Sequence, residues 1–189
     1  YISGSLFDSN QASPDSVSAD GGAIHGQSLD SLEIENSTFI NNLVNGTTNS
    51  RGGALRVGNT NITNSTFYNN TAPNDPDSYD NFYINGIFNI SNSIVDGNLS
   101  GDEDSVSYTW ASSGISGDTN FSGTTLGEEF ADIKLETILA DNGGYTQTLA
   151  LGMDSILIDQ ANDGSKTDQR GYSENDYQDI GAYEYYSSE

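Results

Sequence analysis

Apolar and polar residues alternate in short bursts through the first half of the chain, as in Leu32-Glu33-Ile34 and Ala54-Leu55-Arg56-Val57. Each burst ends in a cluster of Asn, Gly or Ser. Period-two alternation of this length predicts short strands with one buried face, and the clusters predict turns between them. The bursts also repeat. Four segments follow the frame Ile-x-Asn-Ser-x-Phe-x-x-Asn: Ile2 to Asn10, Ile34 to Asn42, Ile62 to Asn70 and Ile90 to Asn98, with intervals of 32, 28 and 28 residues. Between them stand Gly21-Gly22-Ala23-Ile24 and Gly52-Gly53-Ala54-Leu55. The third interval lacks the glycines but keeps an apolar alternation from Tyr83 to Ile90.

A strand that buries one face is not stable alone. Stacking the equivalent strand of each unit in parallel, about 4.8 Å apart, pairs the backbone and buries a continuous apolar column. The predicted fold is therefore all-β, a right-handed parallel β-helix of about four to six coils. Ile2, Ile34, Ile62 and Ile90 would form one column, and Phe7, Phe39, Phe67 and Val95 another. Asn10, Asn42, Asn70 and Asn98 would form a ladder of amides, each bonding to the coil above and below. The paired glycines suit a corner that needs positive φ or close backbone approach. Domain organisation follows: repeats over 1–100, irregular loops and coils continuing the same domain over 101–138, and a C-terminal cap over 139–189. The stretch 71–81 is an insertion between coils, and a short helix is expected over Glu128 to Leu135.

The alternation of Phe7-Asp8-Ser9-Asn10, Phe39-Ile40-Asn41-Asn42 and Phe67-Tyr68-Asn69-Asn70 with the two Gly-Gly-Ala motifs resembles the repeats of the chlamydial polymorphic outer membrane proteins. That resemblance implies a surface-exposed β-helix used in adhesion and display. Beyond Leu139 the segments Leu139 to Thr148, Asp154 to Asp159, Thr167 to Tyr172 and Asp179 to Glu184 are similar, in order, to the choice-of-anchor Q domain, a C-terminal unit of secreted and wall-attached β-helix proteins. Tyr145 replaces the family's usual Pro, and Met153-Asp154-Ser155 replaces its Ser-Pro-Ala type of turn. No hydrophobic or sorting segment precedes Glu189, so the residues name no means of anchoring. The unit is expected to close the column, where an open end would offer unpaired strand edges. Arg170, among Asp159, Asp163, Asp168 and Asp179, is expected to form a buried Arg–carboxylate clamp that fixes it.

Charge removes several classes of function. Five Lys and Arg oppose 28 Asp and Glu, a net charge of −23. Such a surface repels phosphate backbones and anionic headgroups, so neither nucleic acid nor a membrane surface is an expected partner. No apolar run is long enough for a transmembrane helix, and the absence of Cys removes disulfides and thiolate chemistry.

No catalytic residues and no cofactor are assigned. Arg51 and Arg56 flank a Gly-Gly-Ala strand, as the base of a pectate-lyase-like enzyme would, but no acidic residue recurs beside them. His25, the single histidine, lacks a nucleophile elbow. Calcium is the one metal the composition admits, at Asp75, Asp77 and Asp80 or at Asp102, Glu103 and Asp104, although a solvated acidic face is the favoured reading of both. The loop from Asp159 to Gly164 starts like an EF-hand but has Ala161 at a ligand position and Arg170 where the closing Glu belongs. Of the Asn-x-Ser/Thr sequons, Asn45, Asn61, Asn69, Asn89 and Asn120 are the expected accessible glycosylation sites. Asn36 and Asn64 share a position with Asn92, not a sequon, and are read instead as stacked amides.

The expected function is that of a secreted or cell-surface structural protein, serving adhesion, surface coating or filament formation. Its partners would be further copies stacked head to tail, or host or neighbouring surface glycans. Tyr1 and Ile2 at one end and Tyr183, Tyr185 and Tyr186 at the other are the candidate assembly residues, because the chain opens inside a repeat strand. The alternative is a β-helix that binds or cleaves polysaccharide.

Overall fold

The computed structural model describes residues 1–12, 18–48, 50–74, 81–96, 133–161, 167–173 and 177–186, together with the backbone of three short strands between 106 and 126. Each coil is a circuit of short strands. The first holds β1 (Ile2–Ser3), β2 (Leu6–Asp8), β3 (Gln11–Ala12) and β4 (Ile24–Gly26). The second holds β5 (Leu32–Glu35), β6 (Thr38–Ile40), β7 (Leu43–Val44) and β8 (Leu55–Val57). The third holds β9 (Thr60–Thr63), β10 (Thr66–Tyr68) and β11 (Phe82–Ile84). The fourth opens with β12 (Phe88–Ser91) and β13 (Ile94–Val95). Beyond it, β14 (Val106–Ser107) pairs with β12, and β15 (Trp110–Ala111) pairs with β16 (Thr125–Leu126).

Among β1 to β13 every strand pairing is parallel and joins equivalent strands of successive coils. The fold is a parallel β-helix. Its register is the one the repeat predicts: Ile2 opposite Ile34, Ile34 opposite Ile62 and Ile62 opposite Ile90. Phe7, Phe39 and Phe67 stack face to face with centroids 4.5 and 4.7 Å apart, and Phe82 from the opposite wall meets Phe67 edge-on at 4.6 Å. With Leu55, Val57, Ile84, Phe88 and Val95 they fill the interior. At the glycine corner, Gly21 and Gly52 have φ of 62° and 68°. A Cβ on Gly22 would stand 2.0 Å from the Gly53 carbonyl oxygen, so the coils can meet there only without side chains.

The asparagine ladder forms. Asn10 Nδ2 donates to Asn42 Oδ1 (2.9 Å), and Asn42 Nδ2 donates to Asn70 Oδ1 (2.7 Å). The same oxygens accept the backbone N–H of Asn10 and Asn42, each at 3.0 Å. Asn98, the expected fourth rung, lies outside the described residues. Asn70 Nδ2 donates to Asn81 Oδ1 (2.9 Å), and Asn81 Nδ2 donates to the Asp96 carbonyl. Asn81 occupies the place of Ala23 and Ala54 in the coil that lost its glycines.

A second ladder runs through Ser5, Ser37, Ser65 and Ser93. Each backbone N–H from Ser5 to Ser65 donates to the hydroxyl oxygen one coil on, at 3.1–3.3 Å. Each hydroxyl donates to the carbonyl two residues back, at 2.7–2.9 Å. The residue before each serine turns the corner in the left-handed region: Gly4, Asn36, Asn64 and Asn92 have φ between 46° and 57°. That conformation, which Gly and Asn tolerate best, explains the residue type without the amide stacking expected for Asn36, Asn64 and Asn92.

The C-terminal region departs from expectation in its placement. It is irregular, held by antiparallel bridges such as Leu135 to Leu151 and Ala140 to Thr148. Its described contacts run along the side of the solenoid, not across its end. Ile133, Leu135, Leu149, Leu151, Leu157 and Ile180 pack on the outer face of β2, β6, β10 and β13, through Leu6, Ile40, Tyr68 and Ile94. Polar contacts follow the same line. Thr38 Oγ1 donates to Gln169 Oε1 (2.6 Å), Ala182 N–H donates to Thr66 Oγ1 (3.1 Å), and Gly181 N–H donates to the Asn92 carbonyl (2.9 Å). The reason is the outer face of those strands, which carries Leu6, Ile40 and Ile94 where the first sheet carries Glu33, Asn61 and Asn89. An apolar outer face needs a cover. Of the helix expected over Glu128 to Leu135, only the last three residues are described, and Leu135 is bridged to Leu151.

Candidate functional site

Two clusters outside the ladders gather chemistry-bearing side chains. The first lies on the outer face of β4, β8 and β11, where the register lines up His25, Arg56 and Tyr83. The Arg51 and Arg56 guanidinium carbons lie 4.6 and 5.1 Å from the centre of the Tyr83 ring. Arg51 Nη1 donates to the Tyr83 hydroxyl (2.9 Å), and Arg56 pairs with Asp20. Stacking and pairing of this kind hold both guanidinium groups against the wall. His25 is exposed beside a shallow, open depression that Gly26, Gln27, Ser28 and Leu29 also line.

The second cluster is built on Arg170, and the expected clamp is present. Arg170 Nε donates to Asp168 Oδ2 (2.6 Å) and Nη2 lies 2.6 Å from the same oxygen, with both side chains almost wholly buried. Nη1 and Nη2 also donate to the carbonyls of Asn142 (3.0 Å) and Glu184 (2.6 Å). Asp168 Oδ1 accepts the N–H groups of Arg170 and Tyr172 at 2.8 and 3.0 Å. Of the other acids expected around Arg170, Asp179 serves the backbone instead, accepting N–H bonds from Asp159 (2.8 Å) and Tyr185 (2.6 Å). Asp163 lies outside the described residues. Three aromatic rings surround the guanidinium: Tyr183 at 3.9 Å, Tyr172 at 4.8 Å and Tyr186 at 5.5 Å from its carbon.

The remaining candidates are dispersed. Asn45, Asn61, Asn69 and Asn89 are exposed, whereas Asn36 and Asn64 are buried, as expected. Asn69 Nδ2 donates to Asn41 Oδ1 (2.7 Å) and Asn89 Nδ2 to Asn61 Oδ1 (2.8 Å), so exposed amides pair between coils as well. Asn120, both acidic triplets proposed for calcium and most of the loop after Asp159 lie outside the described residues. Among the described residues no group of three His, Asp or Glu side chains is placed to hold a metal ion. None of the described helical segments is long and apolar enough to cross a membrane.

Tyr1 is exposed on the first coil, and its hydroxyl donates to Glu35 Oε2 (2.6 Å), which raises its pKa. Ile2 is half-buried against the core. Tyr183 and Tyr185 are half-buried in the chain's own C-terminal core, and only Tyr186 of that trio is exposed. The assembly candidates are thus on two separate bodies of contact, with Tyr183 and Tyr185 already engaged. Asn81, the serine ladder and the aromatic surround of Arg170 were not singled out from the sequence. The serine column was visible in the repeat frame, whereas Asn81 and the tyrosines have no periodic signal.

Stacked parallel coils with internal polar ladders define a β-helical repeat protein. Residues 4–27 match the family model of the Chlamydia polymorphic membrane protein repeat, so the chain carries a repeat of that type in its first coil. No curated protein and no solved structure matches the chain.

Proposed function

We propose that this chain is a structural module displayed at a cell surface, where it serves adhesion or coating. The observation that carries this reading is the union of a rigid, ladder-bonded solenoid with a repeat whose family is, by its name, one of membrane proteins. The side unit similar to the choice-of-anchor Q domain supports the same location. The charge of −23 keeps such a surface hydrated and away from nucleic acid and anionic lipid. The reading is non-enzymatic: Arg51 and Arg56, the bases a lyase would need, are stacked on Tyr83, and Arg56 is neutralised by Asp20. Head-to-tail stacking is the form of assembly it favours, because successive coils already pair equivalent parallel strands in one register, the contact a second copy would repeat. The exposed sequons would carry glycans in a host that glycosylates, and calcium would bind at Asp75, Asp77 and Asp80 or at Asp102, Glu103 and Asp104.

The test is to label intact source cells with an antibody against this chain, before and after protease treatment, and to image the native material by electron microscopy. Surface label that protease removes is the expected result, with fibres wherever stacking occurs. Label seen only after cell lysis would overturn the surface reading. Dispersed single particles would overturn the filament form alone.

A further inference from the structure

The rings around Arg170 turn their outer sides to solvent. Tyr172 is 46% exposed and Tyr186 39%, and the two meet nearly at right angles, with an interplanar angle of 78° and centroids 5.7 Å apart. Tyr145 projects wholly into solvent from the turn whose Gly144 lies against Arg170. Gly143 is part of the same arrangement: a Cβ there would stand 2.8 Å from the Tyr172 hydroxyl, so the ring lies over this turn because the residue is glycine. Exposed aromatic surface on a rigid base carries a solvation cost that a ligand would relieve.

We infer that the corner of Tyr172 and Tyr186, with Tyr145 beside it, is a binding site for a neutral polysaccharide. A pyranose ring offers a flat apolar C–H face to one aromatic ring, while its hydroxyls meet phenol groups and carboxylates at the edge. A right-angled pair supplies one floor and one wall. The base is fixed before any ligand arrives, because Arg170 is tied to Asp168, Asn142 and Glu184, so little ordering accompanies binding. Charge selects a neutral chain. Every guanidinium nitrogen of Arg170 is engaged and its charge is balanced by Asp168, leaving no cation to receive a sulfate or uronate. Exposed Asp141 at the same turn adds an acceptor suited to sugar hydroxyls and repels anions. This inference rests on the adhesive reading and names its partner.

The experiment is affinity electrophoresis of the full chain through native gels containing a β-glucan, a galactomannan, glycogen or polygalacturonate, with co-sedimentation on phosphatidylcholine vesicles as a parallel arm. Retardation by at least one neutral polysaccharide is expected, with none by polygalacturonate and no vesicle binding. Tyr172→Ala and Tyr186→Ala should each weaken retardation roughly 3- to 10-fold, the scale of one lost aromatic contact. Tyr145→Ala, at a wholly exposed ring, should weaken it without lowering the melting temperature, which decides the matter if the other two variants do not fold. Tyr1→Ala should leave it unchanged. Absence of retardation in every neutral gel, undiminished retardation of Tyr145→Ala or of a folded Tyr172→Ala, or equal binding to polygalacturonate or vesicles would each overturn the inference. Surface labelling of cells does not depend on this site, so its outcome separates failure of the glycan site from failure of the surface reading.

Discussion

Removing the side chain of Asn70 tests the ladder at its centre. Asn70 Oδ1 accepts the N–H and the Nδ2 of Asn42 at 3.0 and 2.7 Å, and its Nδ2 donates to the Phe39 carbonyl and Asn81 Oδ1 at 3.0 and 2.9 Å. All three asparagines are buried, so water cannot replace what Asn70→Ala takes away. A net hydrogen bond is worth about 1 kcal/mol, and a buried group left unpaired costs about 1–3 kcal/mol. Asn42 Nδ2 retains its bond to the Phe7 carbonyl, whereas Asn81 Oδ1 loses the partner recorded for it. The expected loss is therefore about 3 kcal/mol, a large share of the roughly 5–15 kcal/mol that holds a domain together. Urea unfolding followed by circular dichroism measures it, with the slope required to stay at the wild-type value. Asn45→Ala, at an exposed side chain, should cost less than about 0.5 kcal/mol. Equal midpoints for Asn70→Ala and Asn45→Ala would refute the ladder as a source of stability.

Asn64→Ala should cost about 1–2 kcal/mol, because Ala lacks the local side-chain hydrogen bonding that lets Asn tolerate left-handed backbone, while Asn64→Gly should cost less than Asn64→Ala, as Gly4 already fills that position in the first coil; denaturant midpoints of the two variants decide it. Arg170→Met leaves the Asp168 carboxylate buried without its cation and should cost about 3–5 kcal/mol, measured by the same unfolding curves; a loss below about 1 kcal/mol would mean the clamp is ornamental. Tyr68 has its pKa raised above 10.0 by burial and by Asp96, against a smaller lowering effect of a hydrogen bond with Thr137. The unfolded chain then ionises first, so stability from this group is full below pH 10 and is lost as pH rises through the folded pKa. Tyr68→Phe should flatten that part of the alkaline melting profile.

The parts of this fold that repeat were legible in the residues. Aligning Ile2, Ile34, Ile62 and Ile90 gives the observed register, and the amides of Asn10, Asn42 and Asn70 stack as aligned, because one-dimensional periodicity and coil-to-coil contact are the same information. Asn36, Asn64 and Asn92 show the limit: the position was found, but the demand on it was backbone φ and not amide stacking. The side placement of residues 133–186 was missed for a different reason. Gln169 and Thr38 are 131 residues apart, and nothing periodic links them. A trace was nevertheless present, since Ile40 and Ile94 are apolar at positions that alternation assigns to the outside. The Arg170–Asp168 pair was inferred from the scarcity of basic residues, whereas the tyrosines around it are scattered from 172 to 186.

The side unit changes how the solenoid should come apart. A bare stack of coils has contacts only between neighbours, so its end coils can fray one at a time while the middle stays folded. Here one irregular segment grips the second coil at Thr38, the third at Thr66 and the fourth at Asn92. No gripped coil can leave without disturbing the segment that holds the others. Unfolding is thereby converted from sequential peeling into a single cooperative event, and a pull applied near the C-terminus is shared among several coils in parallel before any one yields.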